Sequence, residues 1–178
     1  MSQPVTPPPD TVDWAEVLSR PCAECGFVAS ALVRERFSTL IEERAGGVAA
    51  RLARPGASER PEPTTWSPVE YARHLADVCD VMTSRLGAII AADGAGATFA
   101  VWDGDEAALA AEYWLTVPDD AAVLLRQRAA EAAAAWAALA QDQWAWEGRR
   151  GDGFVFSAES LGAYLIHELV HHGADVGA

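Results

Sequence analysis

The stretch "LIHELVHHGADVGA", residues 165–178, holds three of the chain's four histidines. His167, Glu168 and His171 spell H-E-x-x-H. On a helix that pattern sets two imidazoles one turn apart to hold zinc, with the glutamate as general base. The same stretch contains a second pair at that spacing, Glu168 and His172, also on one helical face. Which pair does chemistry depends on which side of the helix turns inward.

With Leu161 at zero and about 100° per residue, Leu165, Leu169 and Val176 fall at about 40°, 80° and 60°, an apolar stripe centred near about 50°. Glu168 and His172 fall at about 340° and 20°, on its inward edge, whereas His167 and His171, at about 240° and 280°, are expected to face away from the core. An uncompensated buried carboxylate is costly, so an inward Glu168 must be paired or bind a metal. An H-E-x-x-H zinc protease is the minor reading. Such enzymes take a third ligand downstream, and only seven residues follow His171. In the extended pattern, Ala174 stands in place of the glycine and Gly177 in place of the last histidine.

A third ligand must therefore come from upstream, where the one remaining histidine is His74. It sits on the shoulder of a helical stripe formed by Tyr71, Leu75, Val78 and Met82. From there it could reach a bundle interior as a ligand, or serve as a hydrogen-bonded structural residue.

The elements that position these residues are helical. Structure is expected to begin near Trp14, after the Pro-rich "MSQPVTPPPD", so that residues 1–12 form a disordered tail and 13–178 one domain. From Gly26 to about Ala53 apolar residues recur at helical spacing (Val28, Leu32, Phe37, Leu40, Ile41), with Gly46 and Gly47 weakening the last turns. Ser67, Pro68 and Glu70 supply an N-cap, a first-turn proline and a capping-box acid for a second helix running to about Ala92. A loop carrying Trp102 and a short helical piece near 105–114 follow. Pro118, Asp119 and Asp120 open an Ala-rich helix to about Ala140, and Ser157 caps the last helix after a long turn with a few extended residues near 154–156. Strand-like alternation is nearly absent. Four main helices joined by long loops imply an all-α four-helix bundle.

Composition removes several function classes. The chain has 178 residues, 51% hydrophobic, enough for one domain with its own core. Acidic residues outnumber basic ones 26 to 13, for a net charge of −13, which argues against nucleic acid as partner. No secretory leader or membrane-length apolar run is evident, and the expectation is a cytoplasmic protein, a monomer or homodimer, without membrane contact. Three cysteines cannot build a disulfide framework and fit a reducing compartment. Cys22 and Cys25 in "RPCAECGF" form a lone C-x-x-C, which can be half a zinc site or a redox dithiol. With no second C-x-x-C, they read as two reduced thiols in a turn before the first helix. Cys79 reads as a small core residue.

The motifs "TTWSPVEYARHLADVCDVMTSRL", "FAVWD" and "RRGDGFVFSAESLGAYLIHELVHHGADV" together resemble the DinB-like superfamily, in particular its actinobacterial branch with W-S-P-x-E-Y-x-x-H-x-x-D-V and a closing H-[DE]-x-x-H-H-x-x-D-V. The resemblance runs from about Cys22 to the end, specific in the two outer motifs and loose between them. It implies a DinB/YfiT-like four-helix bundle holding a divalent metal on a helix-2 histidine and a last-helix pair one turn apart. Transferred residue by residue, the ligands are His74, Glu168 and His172, and Asp175 matches a trailing polar residue that orients one of them. His167 and His171 have no ligand role in the resemblance. One departure is Gly173-Ala174, where relatives carry bulkier residues, so a frayed helix end or a wider pocket is expected here.

Two nitrogens and a carboxylate leave coordination positions open, as in a catalytic site, and suit Zn, Ni or Fe. The superfamily includes mycothiol-dependent maleylpyruvate isomerases and thiol S-transferases. By that likeness the metal activates a low-molecular-weight thiol, or water, against a small electrophilic substrate, giving a transferase, an isomerase or a hydrolase. Tyr71 and Trp102 are expected as pocket walls. The alternative from another class is a metal-binding, stress-related bundle without turnover.

Overall fold

The computed structural model describes Pro4, Val5, Pro7 and residues 14–178, so most of the expected tail lies outside the described residues. Four long helices form the body: α1 (Phe37–Arg51), α2 (Pro68–Ala91), α4 (Pro118–Ala137) and α5 (Ala158–Val176), with the short α3 (Gly104–Ala110) between α2 and α4. Packing is densest between α1 and α4, α2 and α4, α1 and α5, and α2 and α5, while α1 and α2 touch little. Consecutive helices α1 and α2 are thus diagonal, which is why the loop joining them must cross the bundle.

Local sequence accounts for the helix starts. Ser67 Oγ accepts from the Glu70 N–H and the Glu70 carboxylate accepts from the Ser67 N–H at 2.9 Å, with Pro68 in the first turn. Glu70 is buried beneath this cap and ion-paired with Arg60, so the carboxylate stays charged although burial opposes it. Ser157 caps α5 in the same reciprocal way with Ser160. The ring of Trp136 closes the core between α4 and α5, its Nε1–H donating to the Ala158 carbonyl at 3.0 Å. It packs where Gly162 lets the α5 backbone come close.

Four departures from the sequence reading have physical causes. The first helix begins at Phe37, not near Gly26: Val28 and Leu32 flank a 3-10 turn, Ala29–Ala31, and their apolar spacing mimics a helix. Gly46 and Gly47 do not break α1, since tertiary packing outweighs their propensity. A small sheet is present as well: β1 (Ala97–Phe99) pairs parallel with β2 (Glu147–Arg150), which pairs antiparallel with β3 (Val155–Ser157). Strands of three or four residues are too short to show alternation, and this pairing draws the Trp102 loop over the end of α2. The C-terminal helix does not fray at Gly173. It stays regular to Val176 and ends on Gly177 at φ 69°, the left-handed conformation a glycine accepts without penalty. Among the described residues, no helix is long and apolar enough to cross a membrane.

Candidate metal centre

His74 on α2 meets Glu168 and His172 on α5 across the bundle. Glu168 Oε2 lies 3.8 Å from His74 Nε2 and 3.6 Å from His172 Nε2, and the three donor atoms are within 4.8 Å of one another. Burial would raise the Glu168 pKa, but the imidazoles of His167, His172 and His74 around it hold the carboxyl well below its usual range. Burial pushes the His74 imidazole down, towards the neutral form that coordinates metal. For His172 burial acts the same way, yet Asp175 and Glu168 outweigh it and the metal-free ring is raised to about 9. Asp175 Oδ2 is 2.8 Å from His172 Nδ1, which leaves Nε2 aimed at Glu168. The set fits a divalent cation in its chemistry: two nitrogens and one oxygen converge, and the buried carboxylate meets only imidazoles among its ion pairs between described residues.

The walls are aromatic. Trp102 stacks on His74 with ring centroids 5.6 Å apart and planes at 21°, and Tyr71 lies 5.0 Å from the His172 ring. Trp66, not singled out in the sequence, packs 5.1 Å from His74. These groups line a cavity of about 670 Å³ that also takes in Met82, Tyr164 and Arg85. Arg85 is a second residue that sequence reasoning missed. It is 6% exposed, donates to the Ala100 carbonyl at 3.0 Å, and has no carboxylate partner among the ion pairs of the described residues. Its signal was an arginine continuing the apolar stripe of Val78 and Met82.

His167 and His171 do leave the bundle interior, but they do not reach solvent: they are 1% and 7% exposed. The N-terminal segment covers them, with Trp14 ring contacts at 5.7 Å and 4.7 Å and Phe27 at 5.3 Å from His167. A helical wheel reports direction relative to its own apolar stripe and carries no information about a distant segment folding over the other face. Beneath that cover lie Cys22 and Cys25, free thiols in a turn before α1 as expected, now beside both histidines. Cys79 is a fully buried core thiol, pushed up to about 12 by burial.

The chain is thus a helical bundle in which two imidazoles and a carboxylate that could hold a metal converge at a cavity. The family model of the DinB superfamily matches residues 28–176, and the chain belongs to that superfamily. Among solved structures it is similar to YfiT from Bacillus subtilis, described as "a probable metal-dependent hydrolase with an unusual four-helix bundle topology". The TM-score is 0.68 at 15% identity, over 81% of this chain and 85% of that one. It is also similar to the mycothiol-dependent maleylpyruvate isomerase, with TM-score 0.66 and 19% identity over 85% of this chain and 64% of that protein. At such identities the likeness establishes the shared fold. Among curated proteins none matches the sequence.

Proposed function

We propose that this chain is a metal-dependent enzyme that uses a small thiol, or water, against a small electrophilic substrate. The thiol-dependent form is an S-transferase or isomerase, the water-dependent form a hydrolase. The observation that carries the reading is the convergence of His74, Glu168 and His172 on a cavity large enough for a small molecule. A metal held by three protein donors would keep coordination positions open, which suits turnover better than storage. A divalent metal bound there supplies Lewis acidity that lowers the pKa of a thiol or of water.

The chain's own residues do the rest. Asp175 accepts from His172 Nδ1–H and so fixes the tautomer that presents Nε2. Trp66 and Trp102 pack against His74, and with Tyr71 they give the cavity an aromatic wall. Arg85, without a carboxylate partner, holds the anionic end of a substrate or thiol. Likeness to a mycothiol-dependent isomerase makes mycothiol the first thiol to test. A reducing, cytoplasmic setting goes with three free thiols. The protease register is disfavoured because Glu168, its required free base, is the meeting point of His74 and His172.

The test is titration of cobalt-loaded protein with mycothiol or glutathione. An increment in the near-ultraviolet sulfur-to-cobalt band is expected in the parent and absent in His74→Ala. No increment, together with no metal-dependent consumption of small electrophiles or esters, overturns the proposal.

A further inference from the structure

We propose that Cys22, Cys25, His167 and His171 form a second metal site, a closed structural zinc centre that fastens the N-terminal segment to α5. The four donor atoms lie within 4.8 Å of one another, and Cys22 Sγ is 3.7 Å from His171 Nδ1. A tetrahedron with zinc–ligand bonds of about 2.0–2.3 Å has edges of roughly 3.3–3.8 Å, so small side-chain adjustments close the shell. The donors come from two segments 149 residues apart, which no local turn explains.

Each half is built for the task. The turn "CAECGF" folds back on itself: the Gly26 N–H donates to the Cys22 carbonyl at 3.0 Å and the Cys22 N–H to the Phe27 carbonyl at 2.9 Å. Gly26, at φ +73°, takes the left-handed conformation that closes the turn directly after the second cysteine. Opposite it, His167 and His171 stand one turn apart on the outer face of α5. Two cysteines and two histidines satisfy zinc completely, and two thiolates neutralise its charge.

Burial supplies the independent sign of a ligand. His167 is 1% exposed, and although its Nδ1 lies 3.6 Å from Glu168 Oε1, neither ring nitrogen makes a hydrogen bond among the described residues. Such a ring costs free energy unless something occupies a nitrogen. A Cys22–Cys25 disulfide leaves both nitrogens unsatisfied, whereas a metal takes one of them directly. Around His171 the outer groups are also in place: Nε2 faces Glu24 Oε2 at 3.5 Å and Asp175 Oδ2 at 4.0 Å, leaving Nδ1 towards the sulfur. The surroundings of Cys22 favour a thiolate as well, while burial and the neighbouring Cys22 push the Cys25 thiol up. Burial raises the Cys22 thiol, but backbone N–H groups of Cys25 and Glu24 and the two imidazoles bring it down to about 6.

The experiment counts metal per chain by inductively coupled plasma spectrometry in the untagged protein purified without chelators. Zinc that persists in His74→Ala and is lost when Cys22→Ser/Cys25→Ser is added to that variant is expected, so failure of the catalytic reading leaves this arm intact. X-ray absorption at the zinc edge of His74→Ala should show two sulfur and two nitrogen ligands. If the serine variant misfolds, titration of the His74→Ala protein with a mercurial should release one zinc for two thiols modified. Full zinc retention in a folded serine variant, a zinc edge without sulfur, or thiols that titrate without releasing zinc each overturn the site. Isolation of a Cys22–Cys25 disulfide that binds no zinc after reduction overturns it too, in favour of a redox pair.

Discussion

Gly104→Ala reaches the catalytic candidate without touching a ligand. Gly104 is the first residue of α3, behind the N-cap Asp103, whose Oδ1 accepts from the N–H groups of Asp105 and Glu106. A Cβ at this position lies 2.8 Å from His74 Cε1 and 3.1 Å from Nδ1. Carbon atoms rest at about 3.5–4.0 Å, so the ring or the helix start must give roughly 0.7 Å or more. The ring has no free direction: Trp102 stacks on it, and Trp66 and His172 each lie 5.1 Å away. A metal tolerates ligand errors of only about 0.2 Å, so most of the shift becomes lost coordination. The expected result is a metal affinity about 10–100-fold weaker, equivalent to roughly 1.4–2.7 kcal/mol. The metal-free fold should also lose about 1–3 kcal/mol to overpacking, offset only in part by alanine's better helix propensity. Competition with a chromophoric chelator, scored on the metal that His74→Ala lacks, measures the effect. A dissociation constant within roughly twofold of the parent, with the unfolding curve unchanged, would refute the claim that His74 is a rigidly held ligand.

Three further outcomes follow from the same coordinates. In Gly162→Ala the new methyl meets Trp136 Nε1 and comes within 2.8 Å of Phe37, both buried, so overpacking should cost about 1–3 kcal/mol and lower Tm by on the order of 2–4 °C per kcal/mol. An unchanged thermal midpoint would show that the bundle yields there. Metal binding must displace the proton that His172 holds up to about 9, so apparent affinity should strengthen about tenfold per pH unit from 7 towards 9. Metal-free stability moves the opposite way: the raised folded pKa contributes at most about 3 kcal/mol, fully present below about 6.5 and lost as pH rises through about 9. Calorimetric metal titrations and urea curves across that window check both signs. Small dicarboxylates should raise the thermal midpoint of the parent, Arg85→Met should abolish that rise and Arg85→Lys keep part of it; equal stabilisation in all three proteins, or none in the parent, would remove Arg85 from the pocket's chemistry.

What was legible in the sequence was whatever local rules determine. Ser67, Pro68 and Glu70 announced α2 because a capping box is satisfied within four residues, and the Glu168–His172 pair followed from the angle of one apolar stripe. What escaped depended on contacts between remote segments. Phe99 pairs with Arg150 and Gly148 with Ala97, each across 51 residues of chain, and neither segment carries a strand pattern of its own. Trp66 was visible only as the residue before a cap, while its place against His74 depends on how α2 and its approach loop pack. Arg85 did leave a trace, a charge at a core-facing position of α2, which rarely occurs without a partner or a ligand.

The run HELVHH uses one helical turn twice. Successive residues differ by about 100°, so His167 and His171 form one ledge and Glu168 and His172 another, facing different neighbours. The second ledge looks across the bundle to His74; the first looks outward to the cysteine turn. Glu168 touches both, with Oε2 towards His74 and His172 and Oε1 3.6 Å from His167 Nδ1. Glu24 and Trp14, from the segment that the outer ledge would fasten, also line the inner cavity. If the outer ledge holds zinc, its loss must therefore reach the inner site by two routes: a cavity wall is released, and His167 no longer holds its orientation against the Glu168 carboxylate. The Cys22→Ser/Cys25→Ser protein should then retain His74, Glu168 and His172 yet bind the inner metal more weakly, by the roughly 10–100-fold typical of lost outer contacts. Unaltered inner affinity in that variant would mean that the two ledges share a helix and nothing else.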